Sequence, residues 1–384
     1  MSDFVAGNAI TLLRNGTDFF PALLRAIEAA QHEIHLQTYI YEDDSIGIAT
    51  ADALKRAAAR GVSTCLLLDG FGSNELSRDF VQELRQANVT VLYFRPKISP
   101  WTLKRNRLRR LHRKIAVIDG VTAFVGGINI IDDMNTPGHT PPRIDYAVRV
   151  EGPLVATIRA SARYLWRQTA WTHLQRVNAD PLPWRPLTHT SGNMLAAYVV
   201  RDNIRHRRDI ERVYLEAIEG ARREIVIANS YFLPGLRFRR ALVAAARRGI
   251  RVVLLLQARV EYVLLDYATR ALYWQFLAAG VEIHEYHASF MHSKVAVIDG
   301  AWATVGSSNI DPFSLLLAYE ANVVVDDAMF ARELRLDLEW AIRSQSHRVH
   351  IRDWKRASRT RRLFARINYN LMRFMQSLIG YPDK

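Results

Sequence analysis

A single cysteine, Cys65, stands among 384 residues. That excludes an internal disulfide. Its place in the apolar run VSTCLLLDG reads as a buried strand position and not as a reactive thiol. No Cys/His cluster has zinc spacing, so no metal site is expected. No apolar run approaches the roughly 18 residues that a membrane span needs. The first twenty residues, MSDFVAGNAITLLRNGTDFF, start acidic and lack a basic stretch followed by a long apolar core, so a signal peptide is not expected. Lysine is also scarce, with 7 in the whole chain, and this makes any pattern in lysine informative.

What the chain has in excess is positive charge, a formal +14. Such a balance implies an anionic partner: nucleic acid, an acidic membrane or a phosphorylated substrate. With 49% apolar residues over this length, the chain can bury more than one core, and two domains are favoured.

The lysines point to a duplication. LHRKIAVIDG (residues 111–120) and MHSKVAVIDG (residues 291–300) agree at seven of ten positions, 180 residues apart. With 12 His and 7 Lys, His-x-Lys is expected about 0.2 times by chance. It occurs twice, as His112/Lys114 and His292/Lys294, each followed by an Asp, Asp119 and Asp299. The continuations VTAFVGGIN and AWATVGSSN keep register, so that Asn129 matches Asn309. Upstream, AIEAAQHEIHLQTYIY resembles AIEGARREIVIANSYF, and ALKRAAARGVSTCLLL resembles ALVAAARRGIRVVLLL. The order is the same in both halves.

Each half reads as helix, strand, helix, strand, helix, strand and then the motif strand. The Ala-rich helices end at Gly61 and Gly249, as C-terminal glycines do. TCLLLD and RVVLLLQ are short continuous apolar runs, as in buried parallel strands. The predicted fold is α/β: two tandem α/β sandwich repeats with pseudo-twofold symmetry and the active site at their interface. The expected boundaries are residues 1–177 for the first repeat, 178–193 for a Pro-rich linker, 194–350 for the second repeat and 351–384 for a basic C-terminal segment. Pro181, Pro183 and Pro186 mark the linker.

On a strand, alternate side chains share a face, so His112 projects with Lys114 and His292 with Lys294. A pseudo-twofold would bring both pairs into one cleft. Two imidazoles and two ammonium groups suit a phosphodiester. The lysines neutralise its oxygens, one imidazole attacks phosphorus, and the other protonates the leaving alcohol. A nucleophilic imidazole needs an orienting partner on its other nitrogen. Asp145 in RIDYAVRVEGP and Glu320 in LLLAYEANVVV are the candidates. Asn129 and Asn309, beside glycine-rich backbone, are placed to hydrogen-bond phosphate. Asp119 and Asp299 complete the motif and count among the catalytic candidates, although a turn-fixing role is the simpler reading of their place before glycine.

At this point the chain resembles the phospholipase D superfamily, whose signature is His-x-Lys-x-x-x-x-Asp followed by Gly-Gly or Gly-Ser and Asn, usually twice. Within it the chain looks like the bacterial cardiolipin synthases of the soluble-type branch without N-terminal transmembrane helices. The segments LHRKIAVIDG…AFVGGIN, DYAVRVEGP and HSKVAVIDG…ATVGSSNIDPFSL…EANVVV carry the resemblance. It implies metal-independent phosphatidyl transfer through a covalent phosphohistidine, with phosphatidylglycerol as donor and acceptor. It further implies His112 as nucleophile, His292 as acid and base, and no cofactor. One departure stands out: the family usually has Asn two residues before the Glu, and here that residue is Ala318.

A lipid enzyme must reach a bilayer. Residues 351–384 hold nine Lys or Arg against two Asp. Leu363, Ile367, Leu371, Phe374 and Leu378 recur there at helical spacing, which describes a basic amphipathic helix able to lie in an anionic interface or to pack on the core. A second basic block, LKRNRLRRLHRK (residues 103–114), leads into the first motif. The expected location is peripheral, on the cytoplasmic face of the cell membrane, with anionic phospholipid as partner, no nucleic acid and no obligate protein partner. The alternatives are a phospholipase D-type phosphodiesterase or nuclease and, in another class, a non-catalytic basic binder of membrane or nucleic acid.

Overall fold

The computed structural model describes residues 3–96, 109–174, 190–202, 205–258, 263–311, 314 and 318–352. Most of the Pro-rich linker, half of the first basic block and all but two residues of the C-terminal segment lie outside the described residues. The first half runs β1 (Val5–Arg14), α1 (Asn15–Ala29), β2 (Glu33–Thr38), α2 (Ser45–Ala59), β3 (Ser63–Asp69), α3 (Arg78–Gln86), β4 (Thr90–Phe94), β5 (Lys114–Ile118), β6 (Thr122–Gly126), β7 (Arg143–Ile144), β8 (Tyr146–Glu151) and α4 (Leu154–Thr172). The second repeats it as β9 (Met194–Arg201), α5 (Asp209–Gly220), β10 (Glu224–Asn229), α6 (Leu236–Arg247), β11 (Arg251–Gln257), α7 (Val263–Ala278), β12 (Glu282–Tyr286), β13 (Phe290–Met291), β14 (Lys294–Ile298), β15 (Trp302–Gly306), β16 (Glu320–Asp326) and α8 (Ala328–Ser344), then adds β17 (Ser346–Arg348).

The sheet order shows the duplication. The first half is ordered β1-β8-β6-β5-β2-β3-β4, and the second β9-β16-β15-β14-β10-β11-β12-β17. Antiparallel pairing of β1 with β9 joins them into one 15-stranded sheet. The runs TCLLLD and RVVLLLQ form β3 and β11, each between parallel neighbours and buried along nearly its whole length, as continuous apolar strands require. Helices α2 and α6 end just before Gly61 and Gly249, whose φ values of +88° and +87° a side-chain-bearing residue adopts at a cost. Cys65 is buried in β3, and burial pushes its thiol up to about 12.

The opening strands β1 and β9 were not anticipated. In β1 the alternation is broken by Gly7, at φ +92°, and by Asn8, where the register with β9 shifts. Asn8 is fully buried; its Nδ2 donates to the Val5 carbonyl at 2.7 Å, and its Oδ1 accepts from the Leu154 N–H at the start of α4. A strand bent around a helix cap does not present a period of two.

Helices α1–α3 cover one face of the first half in a core that includes Leu23, Leu54 and Leu66. Helices α5–α7 cover the matching face of the second with Ile218, Leu242 and Leu254. The remaining faces meet each other. Val117 and Val148 of one half share a single cluster with Val297 and Val323 of the other, together with Ile158 of α4 and Leu334 of α8. This shared core presses together the strand ends that carry the two motifs.

Candidate active site

Each histidine lies just before its strand, because its backbone pairs with the opposite half. The N–H groups of His112 and Arg113 both donate to the Tyr319 carbonyl, at 3.0 and 2.8 Å, and Leu111 forms a parallel bridge with Tyr319. In the other half, the His292 N–H donates to the Ile144 carbonyl at 2.7 Å, beside the parallel ribbon of β7 and β13. The placement of both residues of each pair on one strand is therefore corrected: β5 and β14 begin at the lysines.

Tyr319 and Ile144 immediately precede the two candidate carboxylates, so each carboxylate is delivered to the histidine of the other half. His112 Nδ1 lies 2.9 and 3.1 Å from the two oxygens of Glu320. His292 Nδ1 lies 2.7 Å from Asp145 Oδ2. With Nδ1 engaged, Nε2 is the nitrogen left for substrate. Lys114 Nζ donates to the His112 carbonyl at 2.6 Å, and Lys294 donates to the carbonyl of His292 and lies 3.9 Å from Asp145.

Burial sets the charge states. It lowers both histidines, with Lys114 and Lys294 adding repulsion; the effect is larger at His292, while Glu320 opposes it at His112. Burial also brings Lys114 down to about 7 and Lys294 to about 8, against the pull of Asp145 and Glu320. Asp145 is raised to about 6 by the same burial, although Lys294 and the Tyr146 N–H favour its charged form. Cations held this close to neutrality are poised to gain from an arriving anion.

The cleft is symmetric in backbone and asymmetric in side chains. Gly127, beside Asp145, has no room for a Cβ, which would overlap the carboxylate. Ser307 stands at the matching place, and its hydroxyl donates to Glu320 at 2.5 Å. Arg201 donates to the carbonyl of Ala318, and its charge faces Glu320. These contacts hold Glu320 without the Asn that the family usually carries at 318. Tyr39 packs its ring 5.0 Å from that of His112, with Lys114 Nζ 5.4 Å from the same ring. Its counterpart after β10 is Ser230, whose hydroxyl lies 3.4 Å from Lys294 Nζ. The aligned repeats already placed Tyr39 opposite Ser230, but sequence analysis missed both because identity was the only signal followed.

Asn129 and Asn309 are buried beside this layer. Asn129 Oδ1 accepts from the Ile40 N–H at 3.1 Å, and Asn309 Oδ1 accepts from Ser230 at 3.0 Å. They brace the loops that carry Tyr39 and Ser230. The two motif aspartates are not in the cleft. Asp119 accepts from the N–H groups of Gln31, His32 and Glu33 at 2.8–2.9 Å, and Asp299 from those of Arg222, Arg223 and Glu224 at 2.7–3.0 Å. Each lies five residues beyond its lysine, roughly 16 Å along the strand. The expectation that both aspartates are catalytic is corrected by this geometry. Among the described residues, no group of three or more His, Cys, Asp or Glu side chains is arranged to hold a metal ion.

Two fused α/β repeats that close paired His–Lys motifs on one cleft define the phospholipase D class. The sequence profile of the cardiolipin synthase PLD-like domain matches residues 23–136 and again 214–342. Cardiolipin synthase B of Escherichia coli K12 is 41% identical over 353 residues, spanning 89% of this chain and 82% of that protein. A probable cardiolipin synthase of Bacillus subtilis is 32% identical, spanning 93% and 71%. The crystal structure of a phosphatidylserine synthase from Haemophilus influenzae superposes with a TM-score of 0.68 at 13% identity, covering 98% and 96% of the two chains, a likeness of fold. The chain belongs to the cardiolipin synthase family of PLD-like phosphatidyltransferases.

Proposed function

We propose that the protein joins two phosphatidylglycerol molecules into cardiolipin and releases glycerol. The observation that carries this reading is the presence of two half-buried imidazoles in one cleft, each held through Nδ1 by a carboxylate from the other half. In the first step His112 Nε2 attacks phosphorus and the bond to the glycerol oxygen breaks. That oxygen takes a proton from His292, leaving the phosphatidyl group on His112. In the second step His292 takes the proton from the free hydroxyl of another phosphatidylglycerol. The resulting oxygen attacks phosphorus and the P–N bond breaks. Lys114 and Lys294 bear on the phosphoryl oxygens, where preorganised charge contributes most. No metal or organic cofactor enters this scheme.

The roles of the two histidines follow family usage, and the proposed setting is the surface of an anionic membrane. No described helix is long and apolar enough to cross one. The test uses labelled phosphatidylglycerol. His112→Ala and His292→Ala should each lose turnover by more than a thousandfold. Rapid quench of wild-type turnover should trap an acid-labile phosphatidyl label on His112, mapped by mass spectrometry, and His292→Ala should form that label more slowly. Substantial turnover in either variant, or a label on another residue, contradicts the scheme.

A further inference from the structure

A groove of about 970 Å³ lies at the junction of the halves, next to the cleft but outside the catalytic groups. Among the described residues it is lined by one flank of α4, by Phe94 and Arg95 at the end of β4, and by Tyr319 of the opposite half. Arg159 to Thr172 along α4 covers about 20 Å at 1.5 Å per residue. One leaflet of a bilayer has about 15 Å of hydrocarbon, half of a ~30 Å core.

The lining exposes more apolar than polar surface, and four of its residues are arginines, Arg95, Arg159, Arg163 and Arg167. Tyr164 and Trp171 are 62% and 77% exposed. Phe94 meets Tyr319 edge-on at 5.3 Å, with the Arg95 guanidinium 5.3 Å from the Phe94 ring centre. Arg163, which also bonds Glu33, and the exposed Arg167 lie along the same flank. Tyr319 links the lining to the catalytic groups. Its carbonyl accepts the His112 N–H, and the next residue is the carboxylate that holds His112. A chain lying in the groove is therefore directed to the His112 side of the cleft.

The second half is built differently at the equivalent place. There the end of α8 turns into β17, which pairs with β12, and Gln345 accepts from the His287 N–H and the Tyr286 hydroxyl. In the first half, β4 has β3 as its one ladder partner among the described residues.

We infer that the groove between α4, Phe94 and Tyr319 holds an acyl chain of the phospholipid whose phosphate sits against His112. A furrow with more apolar than polar surface, flanked by an α4 segment of about 20 Å and holding four arginines in its lining, fits a lipid whose headgroup is anionic. Among the described residues the groove lies against the His112 side, so the inference concerns the lipid whose phosphate that histidine meets. This inference rests on the proposed phosphatidyl transfer.

The test has two arms, both on the full chain. In the first, phosphatidylglycerol with a diazirine near the end of one acyl chain is photolysed with wild-type protein and the labelled peptides are mapped. Labels on residues 159–172 or 94–96 are expected; labels confined to other segments overturn the inference. In the second, Ala160→Trp with Gln168→Trp narrows the groove. The ratio of kcat/KM for dioleoyl- over dihexanoyl-phosphatidylglycerol should fall at least tenfold, and an unchanged ratio in a folded variant overturns the inference. If that variant does not fold, the cross-linking arm decides alone. The two readings separate cleanly. Groove labelling without turnover defeats the transfer chemistry and keeps the lipid site, whereas turnover with labels elsewhere defeats the groove and keeps the chemistry.

Discussion

At the scale of single residues, the support of Glu320 decides how well His112 is aimed. The Ser307 hydroxyl at 2.5 Å is a hydrogen bond to a buried charge, a kind typically worth about 1.5–3 kcal/mol. Ser307→Ala should therefore lower turnover about tenfold or more, with little change in KM. The check is steady-state kinetics in both the wild-type and the His112→Ala background, where the extra loss should vanish if Ser307 acts through His112. The titrating groups also set a pH profile. Asp145, raised to about 6 by burial, is charged and able to hold His292 only above that value. Lys114 and Lys294, lowered by burial to about 7 and about 8, are charged only below those values. All three are ready in the free enzyme near pH 6–7, and His292, held well below its usual range by burial and the two lysines, takes up its acid proton when the anionic phosphate offsets that repulsion. A bell-shaped kcat/KM is expected, falling in acid as Asp145 protonates and in base as the lysines lose charge, since kcat/KM reports free-enzyme groups. A flat profile from pH 5 to 9 speaks against this assignment.

At the scale of elements, the motif Asp is a staple between two strands. Asp299 sits past the end of β14 at φ +54° and bonds the three N–H groups that open β10, and Asp119 does the same for β2 at φ +51°. Burial alone would raise Asp299, but those backbone donors more than offset it and hold the carboxyl below its usual range. Replacement of either Asp by Ala should cost about 1–2 kcal/mol, because water reaches these exposed bonds and recovers part of their energy. Thermal melting should show a drop of a few degrees, with turnover per folded molecule within about threefold. Loss of turnover without loss of stability would return the aspartates to the chemistry. The sequence displayed His, Lys and Asp in one motif without showing that a five-residue strand separates them. Local pattern was enough for the helices, the apolar strands and the repeat, because those follow from period and capping. It was silent on β1, where a helix cap bends the strand, and on which carboxylate serves which histidine. That last pairing is made by docking of the halves, between residues 208 and 147 positions apart.

At the scale of the molecule, the reciprocal exchange makes the two repeats one catalytic unit: neither half holds both an imidazole and its carboxylate. The substrate for such a unit is collected from a surface, and charge distribution bears on how the chain gets there. Residues 351–384 carry nine Lys or Arg against two Asp, a net +7 out of +14. Near an anionic surface each such charge contributes about 1 kcal/mol, so even half of the net charge would supply about 3.5 kcal/mol. An apolar stripe with Leu363, Ile367, Leu371 and Leu378 adds to this if it meets the bilayer. Since 1.4 kcal/mol is a factor of ten, truncation after His350 should weaken binding to phosphatidylglycerol vesicles more than tenfold at low salt. The gap should narrow as salt screens the charges. Turnover of detergent-dispersed lipid should stay within about threefold, because the paired histidines and their carboxylates all lie before residue 351. Vesicle co-sedimentation at several salt concentrations, run beside that turnover assay, makes the measurement. A folded, truncated chain that sediments as well as the full one would assign the segment to packing on the core and leave membrane attraction to the remaining basic surface.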